Sequence, residues 1–226
     1  MLSEKEYIET FGFPSATQYP KLPVPKPATI DDILPEVSEE KEITRKPAGD
    51  VMVYIAWWGG WVPTSALKKW PYVQHPFPQN VQLKYSIFWK RIETIKLAPG
   101  EQLTKSWTVK NGMTVTDTSS FAAELGVSVE GLSAKLTTTL THTVSVMTET
   151  DVTTAFNYTA KKSAVWTLWQ LYERFSFVDE AGKLVEWASD ADQPGPLGTS
   201  RVRLNLVRPF VVSRPPNTMY PDAKVF

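Results

Sequence analysis

The 226-residue chain carries 24 basic and 24 acidic residues, with 42% hydrophobic and 21% charged residues, a make-up ordinary for a globular protein. Zero net charge argues against an electrostatic nucleic-acid binder, and the absence of cysteine excludes disulfides, thiolate metal sites and a cysteine nucleophile. Two histidines, His75 and His142, are too few for a histidine-rich metal centre.

The opening residues, Met1 to Glu6, lack the basic start and apolar core of a secretory signal. No stretch approaches the ~18 apolar residues of a membrane helix. The expectation is a soluble protein made without a cleaved Sec signal. Residues 1–49 hold seven of the 18 prolines and nine acids against six bases. The run Lys21–Pro27 reads as extended or polyproline-like, and helices at Glu4–Phe11 and Ile30–Val37 are weak. This N-terminal arm is either a flexible tail or a cover, a propeptide, that acts until it is removed.

Residues 50–226 read as one β domain. Val51–Trp57 is β-branched and aromatic and ends at Gly59-Gly60. A tryptophan-rich, proline-punctuated loop follows, from Trp58 to Pro78. Val81–Leu97 is a long strand whose alternation shifts phase around Phe88-Trp89, and Pro99-Gly100 is a turn. Ala164–Phe177 is another strong strand, and Arg201–Val212 alternates Val202, Leu204 and Leu206 against polar partners. No helix stands out. The fold class is all-β: an elongated, long-stranded antiparallel sheet or sandwich.

Residues 101–163 contain no proline, and 21 serines and threonines lie between Thr104 and Thr159. Apolar residues take odd positions up to Phe121, Ala123, Leu125, Val127 and Val129. From Leu132 they take even ones: Leu132, Ala134, Leu136, Leu140. A parity flip across Glu130-Gly131 is what a two-residue hairpin turn requires. With Val129 opposite Leu132, the numbers of paired residues sum to 261. Leu125 then faces Leu136, Phe121 faces Leu140, and Lys110 faces Asp151, a favourable cross-strand pair. The opposite face is polar, with Glu124, Ser128, Ser133, Lys135, Thr137 and Thr139.

The apolar band runs nine residues per arm, within the ~9–11 of a tilted transmembrane strand. Its apolar-out, polar-in alternation is that of a membrane barrel. A lone hairpin would leave backbone groups unpaired in hydrocarbon, so several copies must close one barrel. Two strands of a soluble sandwich are the plainer alternative.

The entry Ile92–Leu97, the Ser/Thr-rich amphipathic span and the apolar return strand Val165–Tyr172 together resemble monalysin-type toxins, small β-pore-formers of the aerolysin type. The resemblance covers roughly residues 85–175. It implies a secreted soluble protoxin, activated by a protease, that assembles as a homo-oligomeric ring on a target-cell membrane, with insecticidal action. It also implies that residues 112–150 supply the inserting hairpin, with Glu130 and Gly131 at its tip.

Other residues suggest partners. Trp57, Trp58, Trp61 and Trp70 are candidates for stacking on a glycan or lipid headgroup, with packing around a turn as the alternative. His142 falls on the apolar face. Asp31-Asp32 lacks any metal-site framework. Lys41 and Arg45, in a polar junction expected to be exposed, are candidate cleavage sites for a trypsin-like protease. No catalytic or nucleotide motif is present, so no enzyme and no cofactor are expected. The competing functional reading is a lectin-like β-sandwich that binds without inserting.

Overall fold

The computed structural model describes residues 22, 25–55, 60–67, 80–141, 144, 146, 148–188, 201–203, 205–210 and 224–225. In chain order the strands are β1 (Lys41–Pro47), β2 (Met52–Ile55), β3 (Gly60–Pro63), β4 (Gln82–Leu97) and β5 (Gln102–Asn111), then β6 (Thr150–Thr159), β7 (Ala164–Val178), β8 (Glu186–Ala188), β9 (Arg201–Arg203), β10 (Asn205–Phe210) and β11 (Lys224–Val225). The helices are α1 (Thr64–Leu67), α2 (Val115–Glu124) and α3 (Leu132–Leu140). The described chain is mostly antiparallel β, as its composition of β-branched and aromatic runs implies.

The two long strands read from the sequence are the spine. β4 and β7 pair antiparallel from Gln82↔Val178 to Leu97↔Ala164, with a bulge between Arg91 and Glu93. The phase shift in the sequence pattern is that bulge, displaced a few residues towards the C-terminus. The sheet runs β1-β4-β7-β10, with β11 also on β7. Among the described residues, three two-stranded sheets lie beside it: β2-β3, β5-β6 and β8-β9.

A separate arm ending at residue 49 is not what the structure shows for its described part. β1 pairs with β4, Lys46 opposite Leu83 and Glu42 opposite Ser86. Ahead of β1, Val37 bridges Lys90, Ser38 N–H donates to the Trp89 carbonyl at 2.8 Å, and Leu34 is buried. Glu40 accepts from Ser86 Oγ and pairs with Lys84 and Arg174. The charges of Lys41, Glu42, Arg45 and Lys46 and the terminal Pro47 disguise β1 in sequence, yet they suit an exposed edge strand. Residues 30–37 form a turn and an extended run rather than a helix.

Among the described residues, two hydrophobic clusters form the core. The larger joins Leu83, Tyr85, Ile87, Phe175 and Phe177 of the sheet to Val51 and Val53 and to the buried faces of α2 and α3. Tyr85 stacks on Phe175 at 5.2 Å, and Phe121 sits 5.9 and 5.8 Å from Phe175 and Phe177. The smaller cluster joins Leu97, Ala164, Trp166 and Leu168 to Leu103 and Trp107 of β5.

Candidate functional site

The Ser/Thr-rich span divides in two. Its base is a ribbon, β5 paired with β6 from Gln102↔Thr159 to Asn111↔Thr150, with Lys110 opposite Asp151. This is the register expected from the parity flip. One ribbon face is docked: Trp107 stacks on Trp166 at 4.6 Å, and Gln170 Nε2 donates to the Lys110 carbonyl at 2.8 Å. Trp107 Nε1 and Lys105 Nζ both donate to the Glu93 carboxylate. Burial raises the Glu93 pKa, but these bonds outweigh it and hold the carboxyl below its usual range. The other ribbon face (Thr104, Ser106, Thr108, Thr153, Asn157) is exposed.

Beyond the ribbon the structure departs from the expected hairpin: α2 and α3 stand where the sequence pattern implies two strands. Local signals for both helix ends are in the sequence. Thr114 is the N-cap of α2; its Oγ1 accepts from Asp117 N–H at 3.0 Å and donates to the Asp117 carboxylate at 2.8 Å. At the other end Gly126 takes φ +67°. Gly126 N–H donates to the Ala123 carbonyl and Val127 N–H to that of Ala122, each at 3.0 Å, a Schellman turn. Three further bonds fasten α3 to the return segment. Val144 N–H and Val146 N–H donate to Thr137 Oγ1 and Ser133 Oγ, each at 3.0 Å, and Thr137 Oγ1 donates to the Val144 carbonyl at 3.2 Å.

The apolar pattern failed as a guide because a spacing of four satisfies two periods. Phe121 and Leu125, and Leu132, Leu136 and Leu140, share a strand face because four is even, and a helix face because four is near 3.6. All five are buried here. The residues between them separate the two conformations. Ala134 and Thr138, on the apolar face of the hairpin reading, are exposed on α3, and Ala123 and Val127 are partly buried. Val129 is exposed in the turn between the helices.

The expected lumen residues scatter. Ser128 is exposed, whereas Glu124, Ser133, Lys135, Thr137 and Thr139 are partly buried on the helices. Burial pushes the Glu124 carboxyl up to about 7. Glu130 and Gly131 lie at the end of the turn that joins α2 to α3. Glu130 is exposed there, and bonds from its own backbone and from the Ser128 hydroxyl hold its carboxyl below the usual range. α2 packs on β2, and α3 packs on β1 and β4.

Lys41 and Arg45, expected in an exposed junction, lie in the paired strand β1. Arg45 also binds Glu42 at 2.7 Å and backs onto the turn at Gly182. Trp61 is half-exposed on β3. Trp57, Trp58, Trp70, His75 and His142 lie outside the described residues. Among the described residues no group of three His, Asp or Glu side chains could hold a metal, and no helix is long and apolar enough to cross a membrane.

No family model matches the chain, and no curated protein matches it. Among solved structures, Cry35Ab1 is similar. The match has a TM-score of 0.36 and 10% identity, and covers 84% of this chain and 54% of that one. The chain thus spans about half the length of that structure, and a likeness this loose says nothing of function.

Proposed function

We propose that this chain is a pore-forming protein in which α2–α3 is the folded-away form of a β-hairpin that extends the β5-β6 ribbon into a target-cell membrane. The ribbon register carries this reading. Every observed pair sums to 261; continued outwards, the same register sets Val129 opposite Leu132 and leaves Glu130-Gly131 as a two-residue turn. The faces run on as well. The docked ribbon residues Leu103 and Trp107 share a parity with Phe121, Leu125 and Val129, and the exposed Thr104, Ser106 and Thr108 share one with Ser120, Glu124 and Ser128.

The spacing of four lets the same leucines serve both forms. In the soluble form they fill the core, where each contributes about 1.5–3 kcal/mol. In the extended form they face hydrocarbon, so the change exposes little apolar surface to water. Neighbouring copies supply the strand pairing that one hairpin lacks, which makes the active form a ring homo-oligomer. Protease activation and action on insect cells follow from the resemblance to monalysin-type toxins, and Lys41 and Arg45 remain the sites for the cut.

The test is dye release from phospholipid vesicles by intact and trypsin-treated protein, with cross-linking of the bound species. The expected result is leakage accompanied by a discrete oligomer. Binding without leakage in both preparations would favour the lectin-like alternative.

A further inference from the structure

The β2-β3 hairpin has two unlike faces. Val53 and Val62 pair across it and are buried in the larger core cluster, with Val51 beside them. The opposite face carries Met52, Pro63, Tyr54 and Trp61, with Met52 paired to Pro63 and Tyr54 to Trp61. Tyr54 and Trp61 meet edge to face at 5.5 Å and are 43% and 37% exposed. Large aromatic rings left in water, paired with each other rather than tucked into the core, need a reason.

Their neighbour supplies one. Helix α2 packs on β2, and the turn that ends α2 reaches the same outer face: a Cβ added to Gly126 would stand 3.5 Å from Met52 Cγ. Three residues further along the same turn is Val129, 45% exposed. The turn therefore adjoins Met52, which shares the outer face of β2 with Tyr54, two residues along the strand. None of Met52, Tyr54, Trp61, Pro63 and Val129 is charged, and the nearest charge along the turn, Glu130, is negative.

We infer that this face, Tyr54 and Trp61 with the Gly126–Val129 turn, lays the soluble form on a zwitterionic phospholipid interface. Tryptophan and tyrosine favour the headgroup level, where the ring is sheltered and the polar edge stays wet. The uncharged set with an acid beside it suits a neutral membrane and not an anionic one. This rests on the pore-forming reading and adds its first step: the residues that become the hairpin tip arrive at the bilayer before α2 and α3 unpack.

The test is flotation of the full chain with phosphatidylcholine vesicles, with and without phosphatidylserine, at low and high salt. Dye release is read in the same samples. The expected result is salt-insensitive binding that phosphatidylserine does not strengthen, weakened roughly tenfold or more by Tyr54→Ser with Trp61→Ser, as loss of two interfacial rings implies. Trp61→Tyr should retain binding. Because the chain has no cysteine, Val129→Cys can carry a single environment-sensitive dye, which should shift to the blue on vesicles, while one on Thr153→Cys should not. Equal binding by the double variant overturns the inference, as does binding that needs a glycolipid or an anionic lipid, or an unshifted dye at 129. Bound wild-type protein that releases no dye even after trypsin treatment instead counts against the pore.

Discussion

Ala134 and Thr138 separate the observed fold from the proposed hairpin better than any leucine does. Both side chains are exposed on α3, and arginine is a good helix former. Ala134→Arg with Thr138→Arg should therefore change soluble stability by no more than about 0.5 kcal/mol per site. In the proposed hairpin the same positions would turn to lipid, opposite Val127 and Ala123. Each lies two residues from Leu136, the centre of the apolar band, or about 7 Å along a strand. Arginine at the midplane of a membrane barrel costs ~2–4 kcal/mol and less towards the interface. Even ~2 kcal/mol for the pair lowers the population of the inserted form about 30-fold per subunit, and the ring multiplies it. Leakage should fall by at least that factor, with a melting point within about 4 °C of the parent's. Thr139→Arg, on the polar face, is the control and should still leak. A doubly substituted protein that leaks like the parent would refute the assigned facing. Leu125→Arg and Leu136→Arg, the obvious choices from sequence, are unsuitable: both side chains are buried in the soluble core, so either change removes the fold along with the pore.

Glu124 links pH to the stability of the observed fold. Its folded pKa lies above the ordinary value of 4.5, at about 7, so its stabilising share is fully present below pH 4.5 and is lost as pH rises to 7. Glu124→Gln should leave the melting point at pH 4 unchanged and raise stability at pH 8 by roughly 2 kcal/mol, after discounting for residual solvent; equal shifts at both pH values would argue against it. Because β1 is paired with β4, trypsin should cut Arg45 slowly, and the nicked fragment should stay attached on gel filtration while separating on a denaturing gel; prompt release would contradict the strand pairing. The polar face of the proposed hairpin would carry Glu124, Glu130, Glu149 and Asp151 against Lys110 and Lys135, so reversal potentials in a salt gradient should show cation preference, diminished by Glu124→Gln.

What could be read from residues depended on whether one conformation satisfied them. β4 and β7 were legible because Tyr85, Ile87, Trp166 and Leu168 are strand formers buried in a sheet, and no competing period fits them. The ribbon register was legible because Lys110 and Asp151 fall on one pair once the parity flip is noticed. Helices α2 and α3 were hidden by the leucine spacing, although Thr114 with Asp117, and Gly126 after Leu125, are end signals for a helix. β1 was hidden for the opposite reason. An edge strand needs charge to stay unpaired on its outer side, and charge is what marks a linker in sequence. The Tyr54–Trp61 pair was half visible: Trp61 was singled out, but its partner across β2-β3 needs the fold.

The ten pairs already aligned between β5 and β6 bear on how fast such a molecule could act. Making a hairpin from a free chain requires closing a loop before any pairing rewards it, an entropic barrier that grows with loop length. Here that closure is complete in the soluble protein, clasped by Trp107 on Trp166 and by Gln170. Extending it adds pairs one after another to an existing end, which is quick on the microsecond scale of hairpin growth. The slow step is then the unseating of Phe121, Leu132, Leu136 and Leu140 from the core. Core unpacking has a large activation enthalpy, and its rate rises about 3–6-fold per 10 °C. Warmth should then set the tempo of insertion once copies have met on the membrane.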